Sequence, residues 1–510
     1  MKYMNPIIPG MHPDPTICRV GEDFYLVNSS FEYFPALPLF HSKDLIHWEQ
    51  IGHCITRNSQ LTLRKGFPNC TGTYAPTIRY NNGIFYVVCT NVAYGGADEG
   101  NFLIWTKDIY GEWSDPIFLD LPGIDPSLFF DEDGKVYYIG AYGEIFVSQI
   151  DIATGKAIGE RRNIWAGTGG NDPEGPHMYH IGDWYYLFIS EGGTEYGHML
   201  TVARSKEVFG PYEACPDNPV LTNRSTSLPI KAVGHADLVQ DNRGEWWAVC
   251  LGIRTIGYPF KHNLGRETML LKVQWDKEGW PIMGDHGTIG IEMEADCLPQ
   301  VPFKKKPVRD YFAQGKLDYV WNSLYNPVEG LVSLKEDGIY LVGNEVGLSE
   351  KDSLAWLGRR QEQHTFVART HLTFDPIKEN EEAGLTIYMN ASHHYEIALT
   401  RLEGQRVIIV RRSIGSLWKI EAMIPYEKDH VVLELAGNEE WYTFGYGEKE
   451  TTINQLGQGE TAYLTTEVGG RFTGNYIALY ATGNGSKCEG KAKFSWFELE
   501  NKEKECKIQE

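Results

Sequence analysis

Apolar and polar positions alternate with a period of two through most of the chain, and runs with the 3.6-residue period of a helix are scarce. The alternation predicts strands. Within the first 250 residues it comes as one phrase written five times: a short strand, a polar turn and an aromatic-rich strand. The turn-and-aromatic halves are residues 21–27 (GEDFYLV), 82–88 (NGIFYVV), 133–139 (DGKVYYI), 182–188 (GDWYYLF) and 243–249 (RGEWWAV). A third strand follows in residues 39–48, 103–113 and 200–212, running into a Ser/Thr-Lys-Asp/Glu turn and a Trp or Tyr. The spacing, roughly 50–60 residues, is slightly longer than a propeller blade repeat. Units that cannot bury their faces alone must stack, so residues 1–300 are expected to form a five-bladed β-propeller.

Beyond the repeat, Pro299, Pro302 and Pro307 flank three consecutive lysines from 304, which predicts a stiff charged linker over 301–318. From 319 to 510 the alternating runs lengthen, as in residues 364–374 and 406–412, and no helical segment intervenes. This predicts a β-sandwich of the concanavalin or jelly-roll kind. The chain is therefore expected to be all-β and built in two domains, as its 510 residues also suggest.

Composition narrows the partners. With 47 basic and 68 acidic residues the chain carries a formal charge of -21, which repels phosphate backbones and anionic membranes. Nine scattered cysteines, with no Cys-x-x-Cys pair, point to reduced thiols and neither a disulfide framework nor a zinc site. No apolar signal core and no apolar stretch of membrane-spanning length is found, so a cytoplasmic location is expected. Aromatic residues are abundant (29 Tyr, 22 Phe and 14 Trp), which suits strands and equally suits flat platforms for sugar rings. The expected partner is a small oligosaccharide, with neither nucleic acid nor membrane; a homo-oligomer is left open.

The strands just before the five turns contain His12-Pro-Asp-Pro-Thr, Tyr74-Ala-Pro-Thr, Ile124-Asp-Pro-Ser, Pro173-Glu-Gly-Pro-His and Gly234-His-Ala-Asp. Three copies thus place an acid at about the same point, Asp14, Asp125 and Glu174, where the other two offer Ala75 and Ala236. An Asp-Pro alone starts many turns. Acids in register are different, because the first strand of each blade lies against the axis and equivalent positions converge. A purely structural device would recur in all five copies. Two carboxyl groups flanking a bond are the apparatus of glycoside hydrolysis, one protonated to donate to the leaving oxygen and one ionised to activate water. Crowding acids at one axis separates their pKa values.

These three segments resemble the signature segments of glycoside hydrolase family 43, and the resemblance covers nearly the whole chain. It implies an inverting exo-acting enzyme, a β-xylosidase first and an α-L-arabinofuranosidase as the alternative. It assigns Asp14 as general base, Glu174 as general acid and Asp125 as the residue that raises the acid's pKa and orients it. Residues 265–268 (GRET) are similar to the segment whose Arg, here Arg266, reaches sugar hydroxyls; an Arg in an alternating strand is otherwise a surface residue. Phe31 falls where the family puts an aromatic wall, with core packing as the alternative. Tyr74 stands where relatives often have Trp, which leaves the identity of the sugar open. His235 resembles the His at the channel centre, in some members beside a calcium ion; a hydrogen-bonded core His is the alternative. No cofactor is required for the chemistry, and a structural Ca2+ at the propeller centre is the metal the resemblance allows.

Two rivals are weighed against this reading. A sugar-binding propeller without catalysis would have an amide or apolar residue in place of one acid, and all three acids are present. A retaining fructan-cleaving propeller carries Asn-Asp-Pro-Asn-Gly near its start, where this chain has His12-Pro-Asp-Pro-Thr. Independent polysaccharide binding by the sandwich gains little support, because no exposed aromatic row is legible in the sequence.

Overall fold

A computed structural model describes residues 2–93, 100–295, 297–313, 315–472 and 474–502. The chain divides into two compact units. One comprises Met1–Arg64, Thr71–Thr255 and Arg266–Phe303; the other comprises Lys65–Cys70, Ile256–Gly265 and Lys304–Glu510.

Among the described residues the first unit holds five antiparallel sheets of four or five strands. In the first sheet Thr16–Val20, Asp23–Val27, Ala36–Ser42 and Glu49–Ile55 follow one another in chain order. The other sheets begin with Thr77–Asn81, Ile124–Phe130, Glu174–Ile181 and Ile230–Gln240. These five leading strands neighbour one another in a closed cycle, the arrangement of a propeller. The repeated aromatic strands explain why the sheets stack, since each apolar cluster is shared by two successive sheets. Leu128, Tyr138 and Phe146 of the third sheet pack with Val88 and Leu103 of the second, and Ile139 and Val147 pack with Leu187 and Ile189 of the fourth. The cycle is tied shut by the first residues of the chain: Lys2–Met4 pairs antiparallel with Glu292–Glu294, and Ile8 bridges to Thr268.

The second unit is a sandwich. Its six-stranded sheet runs in the order Ala355–Arg360, Tyr476–Thr482, Glu382–Asn390, His393–Leu402, Gln405–Ile414, Leu417–Pro425. The facing sheet has eight strands, among them Phe366–Thr373, whose alternate residues are buried as its sequence requires. Phe366, Ala368, Leu385, Ile397, Val410 and Leu479 belong to the apolar core between the sheets. Helix is confined, among the described residues, to the single turns Thr461–Leu464 and Thr466–Gly469, and none is long and apolar enough to cross a membrane.

Candidate active site

Strand register aligns the five leading strands residue by residue. Thr16, Thr77, Ser127, His177 and Asp237 each pair with the equivalent position of the second strand: Val27, Val88, Ile139, Phe188 and Val249. Two residues earlier stand Asp14, Ala75, Asp125, Gly175 and His235. Four of the five are in the left-handed region, with φ of 51° at Asp14, 53° at Asp125, 56° at Gly175 and 48° at His235. Non-glycine residues rarely adopt this conformation, and it persists where the surroundings impose it, typically at functional sites. The equivalence expected from sequence therefore needs two corrections. Glu174 precedes the aligned position by one residue, and the fifth sheet offers His235 there in place of Ala236. The left-handed place in the fourth sheet falls to Gly175, whose Cβ, if it had one, would lie 2.9 Å from His235 Nδ1. Only glycine serves there, and its amide is spent on Asp125.

The acids form one connected group. Asp14 is buried; its Oδ1 accepts from Arg266 Nη1 at 2.8 Å and its Oδ2 from Ser29 Oγ at 2.6 Å. His235 Nδ1 lies 3.9 Å from the same Oδ1. Asp125, also buried, accepts from the Gly175 amide at 3.1 Å, next to Glu174 in the chain. Glu174 keeps 19% of its side chain exposed and has His198 Nε2 3.9 Å from its Oε1.

Electrostatics separate the three. Burial pushes the Asp14 carboxyl up, but Arg266, His235 and the Ser29 hydroxyl outweigh it and hold the group below the usual carboxylate range. Burial raises Asp125, and the neighbouring Asp14 adds to the rise against the pull of His235. Glu174 is raised well above its ordinary value, first by burial and then by Asp125 and Asp14. The surroundings thus push Asp14 toward its ionised form and Glu174 toward its protonated form.

The remaining sequence candidates lie in the same place. Arg266, buried, also reaches Thr194 Oγ1 at 3.2 Å, and its guanidinium lies 5.7 Å from the Phe31 ring. Phe31 meets Tyr74 edge-on at 5.5 Å between ring centroids. Residues not anticipated from sequence complete the group: Ser29, Thr194 and His198. His198 is 1% exposed, and burial, its largest influence, pushes it down to about 3, so the ring is neutral. It packs so closely on Gly234 that a Cβ there would fall 1.8 Å from its Cδ2. The glycine-rich turn at residues 192–198 (GGTEYGH) was the available signal.

The donors near His235 do not fit a calcium ion. The ring lies 6.5 Å from that of His177, whose Nδ1 accepts from Arg79 Nη2 at 3.0 Å. The same guanidinium grips Asp237 with two hydrogen bonds of 2.7 and 3.0 Å. A fixed cation thus already satisfies this buried carboxylate. Among the described residues no group of three or more His, Cys, Asp or Glu side chains is arranged to hold a metal.

Over residues 3–281 the chain matches the glycosyl hydrolases family 43, and over residues 309–500 the β-xylosidase C-terminal concanavalin A-like domain. The chain belongs to glycosyl hydrolase family 43. It is 42% identical over 98% of its length to a non-reducing end α-L-arabinofuranosidase of Bacteroides ovatus, covering 94% of that protein. It is 38% identical over 97% of its length to a xylosidase/arabinosidase of Butyrivibrio fibrisolvens, covering 99% of it. The solved structure of the Bacteroides ovatus xyloglucan PUL GH43B superposes with a TM-score of 0.94 at 41% identity, covering 98% of this chain and all (100%) of that one. As a family 43 member the protein is a glycoside hydrolase, with an N-terminal propeller and a C-terminal concanavalin-like sandwich.

Proposed function

We propose that the enzyme removes single pentoses from non-reducing ends with inversion, and that one pocket takes both α-L-arabinofuranose and β-D-xylose. The observation that carries this reading is the acid cluster itself: Arg266 and Ser29 hydrogen-bond Asp14 and hold its carboxyl below the usual range, while burial and the neighbouring Asp125 raise Glu174. Asp14 takes a proton from water as the water oxygen attacks the anomeric carbon. The glycosidic C–O bond breaks, and its oxygen receives the proton of Glu174. Asp125 keeps Glu174 protonated through its charge and holds the backbone beside it through the Gly175 amide. Arg266, fixed by Asp14 and Thr194, is placed to meet sugar hydroxyls, with Phe31 and Tyr74 as the apolar wall.

Of the two similar relatives named above, the arabinofuranosidase supports arabinofuranose as the better substrate over the xylose that the motifs alone suggested, and the xylosidase/arabinosidase supports acceptance of both. The deciding experiment compares kcat/KM on aryl α-L-arabinofuranoside and aryl β-D-xyloside. Hydrolysis of both, faster for the arabinofuranoside, is expected; activity on neither sinks the proposal. Proton NMR at early times should show the inverted anomer, and a retained anomer would remove Asp14 from its role as base.

A further inference from the structure

The sandwich carries a concave site. A cavity of about 430 Å³ opens on the six-stranded sheet, lined among others by His394, Arg411, Ser413, Trp418, Leu348 and Asn484. That volume falls within the range of small-ligand sites, about 300–1,000 Å³. Register makes three of these residues one row on one face: Ser413 pairs across the strands with His394 on one side and Trp418 on the other. At the usual spacing of strands the row spans about 10 Å.

The chemistry of the row is that of a sugar site. Trp418 stands on the edge strand Leu417–Pro425 with 67% of its surface exposed, an aromatic face open to a ring. His394 is 1% exposed and burial pushes it down to about 3, so it is neutral. Its Nδ1–H donates to Asn390 O at 3.2 Å, which leaves Nε2 as an acceptor 3.9 Å from Glu396 Oε2, too far for a hydrogen bond. Among the described residues neither the Ser413 hydroxyl nor the Trp418 indole N–H has a hydrogen-bond partner. Behind the row Arg411 is held between Glu382 and Glu396, its Nη2 2.5 Å from Glu382 Oε1, so its charge is cancelled locally. Uncommitted donors and acceptors beside an aromatic face, with no net positive charge, select a neutral polyhydroxylated ligand over an anion.

We infer that the row His394, Ser413 and Trp418 forms a carbohydrate-binding site on the sandwich, separate from the carboxylate cluster. Only the choice of pentose probes rests on the proposed activity. The test uses the full chain carrying Asp14→Ala, so that sugars are bound and not cleaved, titrated calorimetrically with xylohexaose and, separately, with an arabinoxylan oligosaccharide. The expected result is a binding event that Trp418→Ala and the pocket-filling Ser413→Leu each weaken by about tenfold or more. In the chain with Asp14 intact, both substitutions leave the rate on a small aryl glycoside unchanged. Absence of any event sensitive to either substitution, for both probes, overturns the inference. So does a shift of oligomeric state in sedimentation velocity on Trp418→Ala with sugar binding unaltered, which would assign the face to self-association. Failure of hydrolysis would bear on the proposed activity alone, because this binding is read in an inactive chain.

Discussion

Arg266 donates from Nη1 to Asp14 Oδ1 at 2.8 Å, and both side chains are buried. The pair joins residues 252 positions apart in sequence and favours the ionised form of the acid from which water activation is expected. Arg266 is also the largest of the charges that lower Asp14.

Arg266→Met should therefore do two things. Removing one partner of a buried pair costs about 3–5 kcal/mol, read as a fall in Tm. It also raises the Asp14 pKa, so the acidic limb of the kcat/KM profile moves to higher pH. The sign is fixed by linkage. A carboxyl depressed in the folded state stabilises above its unfolded pKa of about 3.9, and that stability is lost as pH falls through the folded value. The wild-type chain should thus lose stability toward low pH more steeply than the variant.

Asp14→Ala and Glu174→Ala should differ in their response to the leaving group. Water activation is needed whatever departs, so Asp14→Ala loses about 10²–10⁴-fold on every aryl glycoside. Protonation matters little for a good leaving group, so Glu174→Ala keeps most of its activity on a dinitrophenyl glycoside and little on an alkyl one. Equal losses across both substrates for Glu174→Ala would remove it from the acid role.

Asp125→Asn deletes one of the charges that raise Glu174. The acid is competent only while protonated, so its activity disappears as pH rises through its pKa. The variant's basic limb should begin at lower pH than the wild type's, measured as kcat/KM across the range. A basic limb that does not move would assign Glu174's elevation to burial and Asp14, without Asp125.

Arg79→Met should strand Asp237, a fully buried carboxylate that also accepts from Tyr179 and Thr16. The expected loss is about 3–5 kcal/mol of stability. Dialysis against EDTA should leave Tm and kcat of the wild-type enzyme unchanged. A loss reversed by added Ca2+ would show that a metal finds a site despite the guanidinium.

Asp14 and Asp125 were legible because proline follows each, and the same strained turn recurs wherever an aspartate must face the axis. Glu174 was found but misaligned, since its Gly-Pro moves the turn one residue along and the longer side chain makes up the difference. Arg79 was not legible as an axial residue. Its strand, Thr77–Asn81, reads as an ordinary alternating one, and its partner Asp237 is 158 residues away. His198 escaped for a similar reason: it sits in a loop, where periodicity says nothing, and its closeness to Glu174 exists only once the fourth sheet is folded. The row on the sandwich was hidden because cross-strand pairing, unlike alternation, leaves no mark in a single segment.

The pairing of Lys2–Met4 with Glu292–Glu294 has a consequence for biosynthesis. Once translated, Lys2–Met4 must wait for nearly the last segment of its unit before it has a partner. At translation rates of about 5–20 residues per second that wait is roughly a quarter of a minute to a minute. Throughout it the strand Lys2–Met4 is an unpaired edge open to other chains, so a bulky group placed beside it would be expected to delay ring closure more than one placed in the sandwich.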